Sequence, residues 1–321
     1  MADPVFVVFN PASGKGRGSR LVNPVLAALS AGGPVEHGLT AAAGDEARLA
    51  SEAVARGFTT VVAVGGDGTW GGVANGILES GAADRVRLGL IPGGTGCDLA
   101  KSLGIPQRDV AACARIIRDG ATQTIDVGRI EGRYFLNVAG FGFDIAVIED
   151  SLGVGWLRGS LLYVYCALRQ LRQFPGFPVA MAVDGGPERR QEMLMLVFAN
   201  AKVFGGGFQI APQADLADGH IDAVAFANMP LRRRLPIMVK LLRGTHGGDP
   251  AVQAARGRSF RLRFDSPPAY ETDGERNRAR SAELVVETVP AALRVLVPAA
   301  APTLVGAPAV VASAPSPAPA A

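Results

Sequence analysis

Reactive side chains are scarce in this chain, whose 321 residues include only three histidines and three cysteines. His37, His220 and His246 lack the mutual spacing of a zinc site or a catalytic triad, and no serine sits in a G-x-S-x-G elbow. Hydrolase chemistry therefore loses its usual carriers. Cys97, Cys113 and Cys166 are odd in number and scattered, which argues against a disulfide framework and for a reducing, cytoplasmic setting. No basic tract is interleaved with aromatics, so nucleic acid is not an expected partner; the net charge of +3 still favours an anionic ligand or membrane surface. The first four residues lack the basic and long apolar segments of an export signal.

Apolar residues are plentiful, 48% against 19% charged, enough to fill the cores of two ordinary domains with a cleft between them. From Val295 onward the chain is uncharged and apolar, yet Pro298, Pro302, Pro308, Pro315, Pro317 and Pro319 would break any spanning helix. Residues 298–321 read as a disordered Ala/Pro tail.

Residues 5–9, 60–64 and 87–91 are short apolar runs, each followed by a glycine-rich turn and a helix-like segment. That alternation predicts a parallel sheet in an α/β domain over residues 1–126, with a further strand at 35–39 and a helix at 45–56. Beyond it, strand candidates at 134–138, 179–183, 193–199, 220–226, 258–264 and 283–287 are separated mostly by turns, so residues 127–297 read as a mostly β domain. The exception is a helix at 157–174, whose apolar face of Leu161, Val164, Tyr165 and Leu168 is expected to meet the core while Arg158, Arg169 and Arg172 stay wet. Arg232, Arg233 and Arg234 read as a solvated charge run that can also meet anionic head groups.

Three loops carry the chemistry. Asn10-Pro11-Ala12-Ser13-Gly14 follows the first strand and offers exposed N–H groups to phosphate, without the glycine spacing of a Walker loop. Gly65-Gly66-Asp67-Gly68-Thr69-Trp70-Gly71-Gly72 follows the second, and its aspartate beside a polyphosphate calls for a divalent cation between them. Pro92-Gly93-Gly94-Thr95-Gly96-Cys97-Asp98 follows the third. Ligands of open α/β sheets bind at the carboxyl ends of strands, so three phosphate-compatible loops there predict a Mg²⁺-bound nucleotide.

These loops resemble the catalytic domain of the diacylglycerol kinase and sphingosine kinase superfamily, of the bacterial lipid kinase type, with its N-P-x-S-G, G-G-D-G-T and G-G-T-G signatures. The resemblance continues through Asn137 to Asp144, Asn200, Gly205 to Gly207, Pro212 to Ala214, Asp218-Gly219 and Asp273-Gly274-Glu275, covering nearly everything before the tail. It implies an NAD kinase/diacylglycerol kinase-like α/β domain followed by a β sandwich. It also implies that Asn10 to Gly14, Thr40, Gly66 to Gly72 and Thr95 contact ATP. Cys97 stands where the family usually carries Asn. Phosphoryl transfer needs a carboxylate to take the hydroxyl proton, and the resemblance assigns Glu275, with Asp273 second. Asp215, Asp218 and His220 resemble a structural Mg²⁺ loop, Asp218 by its carboxylate and the other two by carbonyls.

The implied activity is ATP-dependent phosphorylation of a membrane-lipid hydroxyl, diacylglycerol first, with a sphingoid base or ceramide as the other lipids. The implied setting is cytoplasmic with transient visits to a membrane surface, and the pattern leaves room for a homodimer. An NAD kinase shares the G-G-D-G-T loop but carries an Asn-Glu pair that this chain lacks. A non-catalytic lipid- or nucleotide-binding protein would have no need for Asp67, Asp273 and Glu275 together.

Overall fold

The structure is a computed structural model that describes residues 4–155, 157 and 160–299. Apart from Pro298 and Ala299, the expected tail lies outside these residues. In chain order the first elements are β1 (Val5–Phe9), α1 (Ser13–Ser30), β2 (Val35–Leu39), α2 (Asp45–Ala55), β3 (Thr60–Gly65), α3 (Asp67–Glu79), β4 (Arg87–Pro92), α4 (Asp98–Ser102) and α5 (Val110–Asp119). The strands stand side by side as β2-β1-β3-β4, all parallel. Helices covering both faces explain why β3 and nearly all of β1 are unbroken apolar runs, whereas the edge strand β2 is half-exposed.

Next come β5 (Ala121–Ile130), β6 (Arg133–Phe135), β7 (Val138–Gly142), α6 (Phe143–Gly153), α7 (Ser160–Gln173), β8 (Phe177–Val183) and β9 (Arg189–Ala199). The chain continues through β10 (Ile221–Ala227), α8 (Leu231–Leu242), β11 (Val252–Gly257), β12 (Ser259–Arg263), β13 (Ala269–Thr272), β14 (Glu275–Arg278) and β15 (Glu283–Val297). These strands pair antiparallel, and Phe141, Phe198, Phe260 and Leu262 are buried between them in the C-terminal sandwich. Helix α7 answers the helix expected at 157–174, whereas α6 and α8 interrupt the run of turns expected there, and the three cover a second cluster that includes Val197, Phe226 and Leu241.

One strand joins the two lobes. β15 pairs antiparallel with β12 and β5, and near its end, at Arg294 and Val295, lies parallel to β4. Its register breaks between Val289 and Leu293, where the Ala291 N–H donates to Asp126 Oδ1 at 2.7 Å.

Two expectations about exposure are corrected. Among the described side chains of α7, Cys166 and Leu171 are buried, whereas Val164 and Leu168 are each 54% exposed and Tyr165 is also exposed. The helix is apolar around most of its circumference, so periodicity alone did not choose a face; Arg158 and the Leu161 side chain lie outside the described residues. Of the three arginines on α8, Arg234 is buried and donates to the carbonyls of Met229, Leu171 and Phe174, each at 2.8 Å. Arg233 pairs with Asp249 at 2.6 Å, and only Arg232 fits the solvated reading.

Helices α2 and α3 approach so closely that a Cβ on Gly76 would overlap the Ala47 backbone carbonyl. Gly76→Ala gains ~1 kcal/mol of helix propensity but must push α2 outward. A net loss of about 1–2 kcal/mol of stability is expected from the overpacking. Urea unfolding checks it, and an unchanged midpoint would mean that α2 yields freely.

Candidate active site

The carboxyl ends of β1, β3 and β4 bring the three loops together. Asn10 organises the first: its Oδ1 accepts from the N–H groups of Ala12 and Ser13 at 3.0 and 3.1 Å. Its Nδ2 donates to Thr69 Oγ1 at 3.0 Å and Glu46 Oε1 at 3.2 Å, fastening this loop to the second loop and to α2. Gly14, Lys15 and Gly16 follow with φ of +56°, +63° and +81°, a left-handed run that kinks α1 within its first turn. Arg17 donates to the carbonyls of Gly93 and Gly94 in the third loop. In that loop the Gly93 and Gly94 N–H groups bond the Gly65 carbonyl at 2.7 and 2.9 Å. Thr40 follows β2 and its N–H bonds the Phe9 carbonyl at 2.9 Å, placing it beside the first loop.

Asp67 opens α3, and its two oxygens accept from the Asp98 and Leu99 N–H groups, each at 3.1 Å. Burial pushes its pKa upward, and the neighbouring Asp98 carboxylate adds to the push. Thr95 is exposed at the mouth of this region. Trp70 is different: its side chain is wholly buried in the core, so that indole is no nucleotide contact. Cys97 has φ +50°, a conformation that Asn tolerates better than most residues, and burial pushes its thiol up to about 12. The thiol is therefore inert.

The second lobe brings the acidic turn onto α3. A Cβ on Gly68 would lie 3.2 Å from Glu275 Oε1, and one on Gly71 would lie 3.0 Å from Asp273 Oδ2. Gly68 and Gly71 are three apart on one helix face, so the missing side chains are what let the turn settle there. Asp273 and Glu275 thus line a cleft of about 330 Å³ together with Gly68, Glu46, Asn75, Arg133 and Tyr134, and Asp67 precedes Gly68 at the start of α3.

Asp273 and Glu275 occupy different surroundings. Asp273 is buried and accepts from the N–H groups of Leu136, Asn137 and Val138 at 2.8, 2.8 and 3.1 Å. Burial raises its pKa to about 7 against the pull of those donors. It is a keystone between β13 and β7 rather than a free base. Glu275 is 47% exposed and its Oε2 meets Arg133 Nη1 at 2.9 Å. Burial pushes its pKa up, tempered by solvent, while Arg133 favours the ionised form. Of the two, Glu275 has a carboxylate free to take a proton.

Other groups of this region went unassigned in the sequence. Asp98 is 4% exposed; its Oδ2 accepts from Gly206 N–H at 2.7 Å and its Oδ1 pairs with Lys101 at 2.7 Å, linking the third loop to the second lobe. Its signal was its place at the end of that loop. Glu271 is buried, and its Oε2 accepts from Gly274 N–H at 2.6 Å, holding the acidic turn. Asn75 exchanges two bonds with the Tyr134 backbone, at 2.9 and 3.0 Å, and moors α3 to β6.

Glu271 faces Asp144 across Gly140, where a Cβ would strike Asp144 Oδ2 and lie 3.1 Å from Glu271 Oε1. Burial raises Asp144 to about 7 and drives Glu271 well above the carboxylate range. A carboxyl raised in the fold contributes stability that is complete below its unfolded pKa, near 4, and is lost as pH rises through about 7. Asp144→Asn is neutral at every pH, so its stability relative to the parent should improve on the order of 1–3 kcal/mol between pH 5 and pH 8. Urea unfolding at the two pH values measures this; parallel curves would show that Asp144 is ionised throughout.

Asp67 and Asp98 oxygens lie 3.3 and 3.5 Å from where a Gly96 Cβ would stand, two carboxylates facing the third loop. Mg²⁺ is usually held by one or two carboxylates plus substrate phosphates, and Asp67, bonded to backbone N–H groups, fits that role better than Asp98, which Lys101 already neutralises. The Asp215–Asp218–His220 loop fits less well. Asp218 is paired with Arg256, and its other oxygen accepts from His220 N–H at 3.0 Å. Asp215 Oδ1 accepts from Ala217 N–H at 3.0 Å, and Asp126 fastens the loop through Gly219 N–H at 2.6 Å. Among the described residues no three His, Cys, Asp or Glu side chains converge as a metal site. The carboxylate expected there to hold a structural cation is thus already neutralised by a guanidinium.

Residues 4–130 match the diacylglycerol kinase catalytic domain model, and residues 137–297 match the YegS C-terminal NAD kinase beta sandwich-like domain. The chain is 31% identical over 300 residues to a diacylglycerol kinase of Mycobacterium tuberculosis, covering 92% of this chain and 95% of that one. It is 30% identical over 272 residues to a diacylglycerol kinase of Bacillus subtilis, covering 84% and 88%. A crystal structure of a diacylglycerol kinase from Bacillus anthracis superposes with a TM-score of 0.71 at 19% identity, over 93% of this chain and 98% of that one, a likeness of fold.

Proposed function

Because the chain belongs to the diacylglycerol kinase family and is accordingly a lipid kinase using ATP, we propose that its acceptor is the free hydroxyl of diacylglycerol, with Glu275 as general base. The observation that carries this reading is the seat of Glu275 over Gly68, one residue from Asp67, in the cleft between the lobes. Residues up to about Asp126 serve the nucleotide and those from 127 to 297 serve the lipid.

In this reading the N–H groups of the loops at Asn10 to Gly14, Gly66 to Gly72 and Thr95 hold the triphosphate. The acceptor hydroxyl gives its proton to Glu275 as its oxygen attacks the γ-phosphorus and the bond to the β-phosphate oxygen breaks, releasing ADP. Arg133 keeps Glu275 ionised and aimed until the proton arrives. Asp67 is the residue that would hold Mg²⁺, which when bound supplies neutralisation of phosphate charge. Asp273 positions the turn from behind.

The test is purified protein with ATP and Mg²⁺ offered diacylglycerol, a sphingoid base, ceramide and NAD in separate detergent mixtures. Phosphatidic acid is the expected product. Faster phosphorylation of a sphingoid base or ceramide would overturn the substrate assignment, and turnover of NAD alone would overturn the lipid reading of the cleft.

A further inference from the structure

Helix α8 carries a feature that catalysis does not use. Leu231, Leu235, Val239 and Leu242 are 51%, 54%, 41% and 52% exposed. Spaced four, four and three residues apart, they fall within an arc of roughly 80° at 100° per residue. The opposite side buries Arg234, Ile237 and Leu241. The helix is thus apolar on two sides, and among the described residues only one of them meets the protein.

We propose that this outer stripe is the element by which the protein lies on an anionic phospholipid bilayer, the stripe entering the acyl–headgroup boundary. Charge selects that occupant. Exposed Arg232 and Arg243 border the stripe, and residues 228–245 contain no acid. The nearby Asp249 is consumed by Arg233 at 2.6 Å and Lys240 at 2.8 Å. A second copy docked about a two-fold axis would set these arginines against one another, whereas lipid phosphates would neutralise them. The surface is also continuous with the chemistry: α8 packs on α7, α7 packs on α6, and Asp144 at the start of α6 faces Glu271 beneath the acidic turn. Arg234 locks the arrangement by binding carbonyls at the end of α7. The inference rests on the lipid-kinase reading, since a substrate whose acyl chains lie in a bilayer must be met at its surface.

The experiment is co-sedimentation of the full chain with vesicles of phosphatidylcholine alone and of phosphatidylcholine mixed with phosphatidylglycerol. Parent protein should prefer the mixed vesicles, and Leu235→Ser with Val239→Ser should weaken that binding at least about tenfold. Arg232→Glu with Arg243→Glu should abolish the preference for anionic lipid. Both variants should still phosphorylate a short-chain diacylglycerol dispersed in detergent, the readout that separates docking from chemistry. If the Leu235 and Val239 variant binds vesicles like the parent, the proposal fails. It fails equally if ultracentrifugation shows a dimer that this variant breaks while vesicle binding persists. Stripe-dependent vesicle binding without phosphorylation of any lipid would uphold the docking face and sink the kinase substrate assignment instead.

Discussion

Glu275→Gln is expected to lower kcat by about 10²–10⁴-fold, the usual contribution of a positioned general base, while ATP binding stays at the parental level. The side chain is the right one to lose because it is the accessible carboxylate of the acidic turn. Asp273, two residues away, is spent on three backbone N–H groups. Glutamine keeps the volume beside Gly68 and still offers an oxygen to Arg133, so the turn should hold its place. What disappears is the ability to take up a proton. Equal losses in kcat and kcat/KM, with nucleotide affinity from a separate titration unchanged, are the expected signature. Parental turnover in this variant would remove Glu275 from the base role while leaving the cleft intact. In the parent, the acid limb of the kcat/KM profile should fall above the ordinary glutamate pKa, because burial favours the protonated form.

Asp67→Asn should be at least as damaging but by another route, combining weaker ATP binding with a loss of kcat on the order of 10²–10³-fold. Both oxygens of Asp67 accept from consecutive N–H groups at the start of α4. Asparagine has one acceptor oxygen and an amide that would confront the second N–H. The unsatisfied donor costs about 1–3 kcal/mol, and the third loop, tied to the second lobe through Asp98, should shift with it. The two substitutions are therefore distinguishable: nucleotide titration separates a lost proton acceptor from a displaced phosphate cradle. Unchanged ATP affinity in Asp67→Asn would show that Asp67 has no part in placing the nucleotide.

The parallel half of the molecule was legible because its central strands β1, β3 and β4 are buried apolar runs and two of them, β3 and β4, run into glycine turns. The glycines also carried a message that only coordinates complete. Gly68 and Gly71 admit the acidic turn, while Gly72 and Gly76 admit α2, with a Gly72 Cβ coming within 2.7 Å of Glu46 Cβ. One short motif thus serves two contacts on two faces of α3. Long-range partners were not legible. Asp126 and Glu271 sit in unremarkable local sequence, and Asp144, though part of a family-like run, had no role assigned; their importance arises from burial among residues far away in the chain. The strand expected at 134–138 is broken where Asp273 gathers the N–H groups of Leu136 to Val138, an interruption set by a residue more than a hundred positions later. Trp70 shares the glycine-rich motif of its neighbours, yet as the fourth residue of α3 it points its bulky indole into the core.

The strand that joins the lobes has a consequence for biosynthesis. β4 receives its outer neighbour only from Arg294 and Val295, so a ribosome must release almost every described residue before that margin of the parallel sheet is covered. Until then β4 is an open edge, the kind of surface that recruits stray strands. The nucleotide half therefore matures last despite being translated first, and fragments cut ahead of Arg294 should aggregate rather than survive as an independent nucleotide-binding piece.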